Sequence, residues 1–326
     1  MTNHDHKFAT GQSEPSHPAN DAFAQFDDFQ DIAAFQTSGT DSQNSPVVFN
    51  SPHSGSRYPD RFKALSRLDE HYIRVSEDMD VDALFAGVVE AGAVLQFANF
   101  PRAYLDVNRE PYELDANMFS APLPKFANTR SLRVNGGLGT VARIVAENRE
   151  IYNSKLDPND ALARIELVYR PYHDQLRHLL ARTHARYGQA LLVDCHSMPS
   201  QHSSVKSSKD SEFRPDIIIG DRYGTSCHSE LIDHMVTLFR EAGLDVVKNR
   251  PYAGGFITEH YGRPQRGLNA VQIEINRRLY MNEARLVRHS GFDALQQILT
   301  DFAVKLIAHP YLQMSEDHNG SALAAE

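Results

Sequence analysis

The sequence predicts an α/β fold with a mixed, largely parallel central sheet and helices on both faces. Short apolar runs alternate with segments whose apolar residues recur at helical spacing, a pattern typical of βαβ units. A length of 326 residues and an apolar content of 41% are sufficient for one large α/β domain. We expect this domain at 45–312, after a disordered or loosely docked arm (1–44) and before a flexible tail (313–326).

The first half of the domain begins with a strand, a helix and a second strand. The apolar runs at 47–50 and 93–97 predict the strands, and residues 81–89 predict a helix that Gly92 ends. Residues 103–107 predict a further extended segment. The stretch 108–137 lacks periodicity and predicts a long loop, which in compact domains is usually functional.

The second half continues the alternation to the end of the domain. Apolar spacing predicts helices at 141–151 and from Pro158 to about residue 180. A polar, Ser/Lys-rich segment at 201–211 predicts a mobile surface loop. The remaining predicted elements are strands at 191–194, 217–219, 246–248 and 270–275, a helix at 231–239 closed by Gly243, and a terminal helix at 283–307.

Composition argues against several classes of protein. A net charge of −9 and a pI near 6.0, with no basic block, argue against a nucleic-acid partner. No apolar run approaches the roughly 20 residues that cross a bilayer, and the N-terminus lacks a secretory signal, so we expect no membrane association. Cys195 and Cys227 form no Cys-x-x-Cys pair, which favours a reduced, cytoplasmic setting. The sequence leaves open a monomer or a small homo-oligomer.

Two histidines follow apolar runs and indicate a metal site. His53 lies in Ser-Pro-His-Ser-Gly after the first strand, and His196 lies in Asp-Cys-His-Ser after the strand at 191–194. Side chains at the carboxyl ends of parallel strands meet at one edge of a sheet. Histidine is the commonest zinc ligand, and a catalytic zinc takes three protein ligands. Each histidine alone is more often structural, but if both bind one metal the chain is a hydrolase.

Charged residues near other strand ends are candidates for catalysis and binding. Glu274 alternates with apolar residues, so it is either a general base beside a metal-bound water or the partner of a neighbouring arginine. Arg109 could clamp a substrate carboxylate or form a surface ion pair. The acidic run 77–82 could supply a ligand or stabilise a helix N-terminus. The glycines at 136–139 lack a phosphate-loop spacing and a lysine, which argues against nucleotide binding.

These strings, taken in order, resemble the N-formylglutamate amidohydrolase family over about residues 47–283, a family distantly similar to the zinc carboxypeptidases. The set is specific although no single string is. The strings that carry the resemblance are Ser-Pro-His-Ser-Gly (51–55), Asp78 with its following apolar residues, Asp-Val-Asn-Arg (106–109), Tyr-Arg-Pro-Tyr-His (169–173), Asp-Cys-His-Ser (194–197), Gly-Gly-Phe-Ile-Thr (254–258) and Gln-Ile-Glu-Ile-Asn (272–276).

The resemblance implies a zinc-exopeptidase or phosphorylase/hydrolase-like fold, one zinc ion per chain and a role in histidine catabolism. It implies hydrolysis of N-formyl-L-glutamate to formate and L-glutamate. His53, Asp78 and His196 would hold the zinc, and Glu274 would be the base. Position 56 is Ser where carboxypeptidases have a ligand Glu, so the carboxylate ligand comes from elsewhere, with Asp78 preferred to the other acids of the run 77–82.

The implied substrate is a dianion, so two cationic contacts are expected. Asn108 and Arg109 look like the pair that carboxypeptidases use on a terminal carboxylate. His260 either faces the pocket or is an ordinary loop residue. The candidates for the side-chain carboxylate, among which the sequence does not choose, are Arg130, Arg133, Arg143, Arg263 and Arg277.

Two other functions remain open at the level of sequence. One is a deacylase or carboxypeptidase that acts on another small, anionic N-acyl amino acid. The other is a ligand-binding homologue that kept the fold and lost the chemistry, although the presence of His53, His196 and Glu274 argues against it.

Overall fold

A mixed sheet lies at the centre of the structure, a computed structural model that describes residues 23–200 and 215–313. Within these ranges the order of the seven strands in the sheet is β1-β3-β2-β6-β9-β7-β8. The strands are β1 (Phe35–Ser38), β2 (Val47–Ser51), β3 (Val94–Ala98), β4 (Ile144–Val145), β5 (Arg149–Glu150), β6 (Ala190–Met198), β7 (Ile217–Gly220), β8 (Val246–Lys248), β9 (Leu268–Asn276), β10 (Met281–Asn282) and β11 (Val287–Arg288). Strands β3, β2, β6 and β9 are parallel, β1 and β7 run antiparallel to their neighbours β3 and β9, and β8 is parallel to β7.

The helices are α1 (Asp60–Leu65), α2 (Glu70–Arg74), α3 (Val81–Leu84), α4 (Leu132–Asn135), α5 (Pro158–Arg164), α6 (Arg170–Tyr187), α7 (Ser229–Glu241), α8 (Phe256–Tyr261), α9 (Gly291–Ile307) and α10 (Pro310–Gln313). A π-helical turn, Ile165–Tyr169, joins α5 to α6. No helix in the described ranges combines the length and apolarity required to cross a bilayer.

Helices cover both faces of the sheet. Alternate residues of each strand point to opposite faces and pack against these helices. Phe49 and Val193 belong to the core cluster that includes residues of α7 and α9. Their neighbours Val48 and Leu192 pack on the other face with Leu176 and other residues of α6. Because the central strands are buried on both faces, they read as continuous apolar runs in the sequence.

The predicted fold class and the six strands predicted at 47–50, 93–97, 191–194, 217–219, 246–248 and 270–275 are confirmed. The helix predicted from Pro158 is confirmed as α5, the π turn and α6, and the helix predicted at 231–239 as α7. The sequence prediction missed the antiparallel edge strand β1, which pairs with β3.

Four local predictions were wrong. The helix predicted at 81–89 is shorter in the structure, because α3 ends at Leu84 and a 3₁₀ turn follows. Residues 103–107 form turns rather than a strand. The predicted helix at 141–151 is the ribbon β4–β5, and Val145 packs together with the flanking Val141 and Ile151 into the core cluster that includes Phe62. The terminal helix starts only at Gly291, after the ribbon β10–β11.

The predicted domain limits are only partly covered by the structure. Residues 1–22 of the predicted arm, the predicted loop 201–211 and residues 314–326 of the predicted tail lie outside the described residues. The described part of the arm includes β1 of the central sheet.

Candidate metal centre

The site lies at the carboxyl edge of the parallel strands β2, β6 and β9. His53 follows the end of β2 by two residues, and His196 lies near the end of β6. Glu274 of β9 is the register partner of His196. Parallel pairing of these strands therefore brings residues that are far apart in the sequence to one edge of the sheet.

His53, Asp78 and His196 converge on one point. The His53 Nδ1 atom lies 3.2 Å from His196 Nδ1 and 3.4 Å from Asp78 Oδ2, and His196 Nδ1 lies 2.9 Å from the same oxygen. Three ligands of a tetrahedral zinc ion at about 2.0–2.1 Å would be about 3.3 Å apart. These three side chains, all buried, could therefore hold a metal ion.

The outer nitrogens of both imidazoles bind carboxylates. His53 Nε2 lies 2.8 Å from Asp106 Oδ1, and His196 Nε2 lies 2.8 Å from Asp194 Oδ2. A proton on each Nε2 satisfies these carboxylates and leaves the lone pairs of both Nδ1 atoms facing each other and Asp78. Histidines that bind metals commonly donate their second N–H to a carboxylate, so the donor set fits a cation between the rings.

Electrostatics also favours a positive charge at this point. Burial opposes the charged imidazolium, but Asp194 and Asp78 raise the pKa of His196 well above its ordinary value. Burial likewise opposes ionisation of Asp78, yet the adjacent imidazoles of His196 and His53 and the charge of Arg102 hold the pKa of Asp78 well below its usual range. The Asp78 carboxylate is therefore available as a ligand oxygen.

The neighbouring acids have other partners. Glu77 accepts a hydrogen bond from the Tyr58 hydroxyl at 2.6 Å and pairs with Arg74. Asp80 forms a two-pronged ion pair with Arg288. Asp78 is the acid of this run that lies with the two histidines.

Glu274 is buried beside this cluster. Gln272 Nε2 donates to Glu274 Oε1 at 2.8 Å. Burial raises the pKa of Glu274 to about 7, with His196 opposing the rise and Asp78 adding to it. A carboxyl group with such a pKa can accept and return a proton near neutral pH.

Arg109, Arg133, His260 and Arg263 line one cavity of about 370 Å³. Arg109 is buried, and its Nη2 lies 3.4 Å from Asp106 Oδ2. Burial lowers the pKa of Arg109 to about 10, and the nearby charge of Arg133 contributes to the lowering. Three arginines and three glutamates (Glu110, Glu113 and Glu259) therefore line this cavity, and Arg109 links it to Asp106, the carboxylate that binds His53.

Two other predicted substrate contacts, Arg143 and Arg277, do not line this cavity. Arg143 pairs with Asp115 and Glu150 and lines a separate cavity. Arg277 donates to the Glu77 carbonyl at 2.6 Å and lies 3.3 Å from Asp78 Oδ1, so it holds the segment that contains Glu77 and Asp78.

Asn108 forms hydrogen bonds within the site, whereas Arg130 lies on the surface. The Asn108 amide donates to Asp194 at 3.3 Å, and its oxygen accepts from the Ile257 N–H at 2.8 Å. Arg130 is on the surface and is not among the residues that line the cavity of Arg109.

Sequence reasoning missed several residues of the site. Arg102 lies 3.0 Å from Asp106 and 3.8 Å from Asp78. Burial raises the pKa of Tyr252 to about 12, and the charges of Glu274 and Asp78 add to the rise, so this residue also lies near the cluster. The spacing of Asp194 and His196 on one strand face was the available signal for the histidine–carboxylate pair.

An α/β sheet with a His–Asp–His cluster and a buried glutamate at its carboxyl edge is the arrangement of a hydrolase that could use a metal ion. The model of the N-formylglutamate amidohydrolase family matches residues 45–281. The chain therefore belongs to this family, which confirms the resemblance found in the sequence.

Relatives named for the same activity agree with this assignment. N-formylglutamate deformylases from Pseudomonas putida and Pseudomonas aeruginosa are each 29% identical over 241 residues, which is 73% of this chain and 82% and 83% of the relatives. The crystal structure of N-formylglutamate amidohydrolase from Ralstonia eutropha is 33% identical, with a TM-score of 0.80, and the match covers 86% of this chain and 99% of that chain.

Proposed function

We propose that this chain hydrolyses the amide bond of N-formyl-L-glutamate to formate and L-glutamate, using one zinc ion held by His53, Asp78 and His196. The observation that carries the proposal is the convergence of these three ligand atoms beside Glu274 at the sheet edge. The deformylase activity named for the relatives supports the choice of substrate. Free, buried cysteines are consistent with a cytoplasmic enzyme.

The donor set supports zinc in a catalytic role. Two imidazole nitrogens and one carboxylate oxygen are an open set of three ligands, which leaves a position for water or substrate. When bound, the ion would supply Lewis acidity that polarises the formyl carbonyl and lowers the pKa of water. Asp106 and Asp194 would keep both imidazoles in the orientation and tautomer that binding requires.

Glu274 is the general base of the proposed reaction. Its carboxylate takes a proton from the attacking water as the new C–O bond forms, and then delivers it to the amine nitrogen as the C–N bond breaks. The pKa of about 7, which results from burial, suits both transfers near neutral pH. Arg102, whose charge lies near Asp78 and Glu274, adds a cation that would favour negative charge on the reacting oxygen.

The cavity lined by arginines is the proposed site of the glutamyl carboxylates. Arg109, the arginine of this cavity that pairs with Asp106, binds the α-carboxylate, and the hydrogen bonds of Asn108 fix the backbone beside it. Arg133 and Arg263, with His260 beside them, meet the side-chain carboxylate. Arg143 is left out of this assignment because it pairs with Asp115 and Glu150 beside a separate cavity. Arg277 is left out because it binds the Glu77 carbonyl and Asp78 and does not line the cavity of Arg109.

A kinetic comparison of four substrates, together with metal analysis, tests the proposal. We expect N-formyl-L-glutamate to have the highest kcat/KM, ahead of N-formyl-aspartate, N-acetyl-glutamate and a dipeptide, with about one zinc per chain. Equal rates on all four would overturn the narrow specificity in favour of a general deacylase. A chain that is purified without chelator and holds far below one metal would favour a binding protein without catalysis.

A further inference from the structure

One face of helix α6 reaches both halves of the proposed site. Tyr169, Tyr172 and His173 have the i, i+3, i+4 spacing that places side chains on one helix face. Tyr169 ends the π turn that precedes α6. Pro171 follows directly after the π turn, inside one continuous run of helix from residue 158 to 187, and the π turn departs from regular i→i+4 bonding where proline supplies no N–H. The helix therefore continues without a break past the residues that contact the site.

Tyr169 and His173 hold the backbone on either side of Asn108. The Tyr169 hydroxyl donates to the Arg109 carbonyl at 2.6 Å. His173 Nε2 donates to the Val107 carbonyl at 2.8 Å, and its Nδ1 accepts from the Tyr261 hydroxyl at 2.9 Å. Tyr169 and His173 are both buried, so water cannot replace these bonds at low cost.

Tyr172 reaches the other half of the site through a buried relay. Its hydroxyl donates to Asn50 Oδ1 at 2.5 Å, and Asn50 Nδ2 donates to Asp194 Oδ1 at 2.7 Å. The second oxygen of Asp194 binds His196 Nε2 at 2.8 Å. Tyr172, Asn50 and Asp194 are completely buried. The relay therefore fixes the carboxylate that orients a candidate metal ligand.

We propose that Tyr169 and Tyr172 are positioning residues with separate targets, an inference that rests on the proposed function. Tyr169 sets the position of Arg109 and thereby the affinity for substrate. Tyr172 sets the orientation of His196 through Asn50 and Asp194, and thereby the affinity for the metal. One helix thus aligns the cavity of Arg109 with the metal centre, although neither tyrosine lines that cavity or belongs to the cluster of His53, Asp78 and His196.

Two conservative variants, each removing one hydroxyl, test the separation. We expect Tyr169→Phe to raise KM for N-formyl-L-glutamate about fivefold, with kcat and the zinc dissociation constant within twofold of wild type. We expect Tyr172→Phe to raise the zinc dissociation constant about fivefold, measured on metal-free protein by competition with a chromophoric chelator, with KM of the zinc-saturated enzyme unchanged. Tyr187→Phe, a matched control at the far end of α6, should change neither quantity.

Opposite outcomes overturn the inference. The inference fails if Tyr169→Phe leaves KM unchanged or if Tyr172→Phe leaves the zinc dissociation constant unchanged. It also fails if both variants change both quantities equally. If a variant fails to fold, His173→Gln must raise KM from the other side of the same loop, and Asn50→Ser must weaken zinc binding at the next step of the relay. Wild-type protein that neither binds zinc nor turns over the substrate would overturn the proposed function instead.

Discussion

Replacing Glu274 with glutamine tests its proposed role as the general base while preserving the shape of the site. Glutamine has the shape of glutamate and keeps a side-chain oxygen, so it can still accept the 2.8 Å hydrogen bond from Gln272. The substitution removes the site that accepts a proton and one negative charge from a buried position. Asp78, His53 and His196 keep their own hydrogen bonds, and we expect zinc binding to persist.

The size of the effect follows from the role assigned to Glu274. General acid–base catalysis contributes about 10²–10⁴ in rate, and so kcat of Glu274→Gln should fall by that factor. This corresponds to about 2.7–5.5 kcal/mol of lost transition-state stabilisation. KM should change little because Glu274 is not among the residues that line the cavity of Arg109.

Steady-state kinetics with zinc analysis of the same sample provides the assay. Glu241→Gln, the same chemical change on the exposed end of α7, is the matched control and should keep full activity. Turnover of zinc-loaded Glu274→Gln within tenfold of wild type would remove Glu274 from the role of base. Loss of zinc together with activity would instead assign Glu274 to binding of the metal.

Three further predictions concern the hydrogen bonds and charges around the site. Asp106→Asn removes the charge that faces His53, so the zinc dissociation constant should rise about 10–100-fold in chelator competition, and an unchanged constant would contradict the assigned role. Arg133→Ala and Arg263→Ala should each raise KM for N-formyl-glutamate roughly tenfold. They should leave KM for N-formyl-norvaline unchanged, because norvaline lacks the side-chain carboxylate. Equal effects on both substrates would exclude contact of these arginines with that carboxylate. Burial lowers the pKa of His173 from 6.5 to about 4. Between these pH values the unfolded chain binds a proton that the folded chain does not bind. The stabilisation that neutral His173 provides above pH 6.5 is therefore lost as the pH falls to about 4. Urea unfolding at pH 7.5 and at pH 4 measures this loss. The free energy of unfolding of wild type should fall by about 3 kcal/mol more than that of His173→Gln, and an equal fall for both proteins would refute the prediction.

The centre of the fold was predictable because its signals are local. Strands such as β2 and β6 are buried on both faces, and burial on both faces requires continuous apolar runs that can be read directly. The segment of the ribbon β4–β5 was predicted to be a helix because its apolar residues recur at helical spacing. In the structure, apolar residues of this segment pack into a local core cluster. Apolar spacing alone cannot distinguish these two uses of the same residues.

The site was predictable in its residue types but not in its partners. Histidines at strand ends and a lone glutamate in an apolar strand were visible, and family motifs favoured Asp78. The three-dimensional contacts then separated Asp78 from Glu77, which binds Tyr58 and Arg74. Among the candidate arginines, only tertiary structure distinguished Arg143, which pairs with acids elsewhere, from those that line the cavity.

The sequence by itself determined the alternating α/β architecture and the chemical identity of the groups at the strand ends. Tertiary structure decided that both outer imidazole nitrogens face carboxylates, that Arg102 joins the cluster, and that one face of α6 reaches both halves of the site. The reason is physical: periodicity records which side of an element is buried, whereas a hydrogen bond between residues 50 and 172 or 53 and 106 exists only after distant segments pack together.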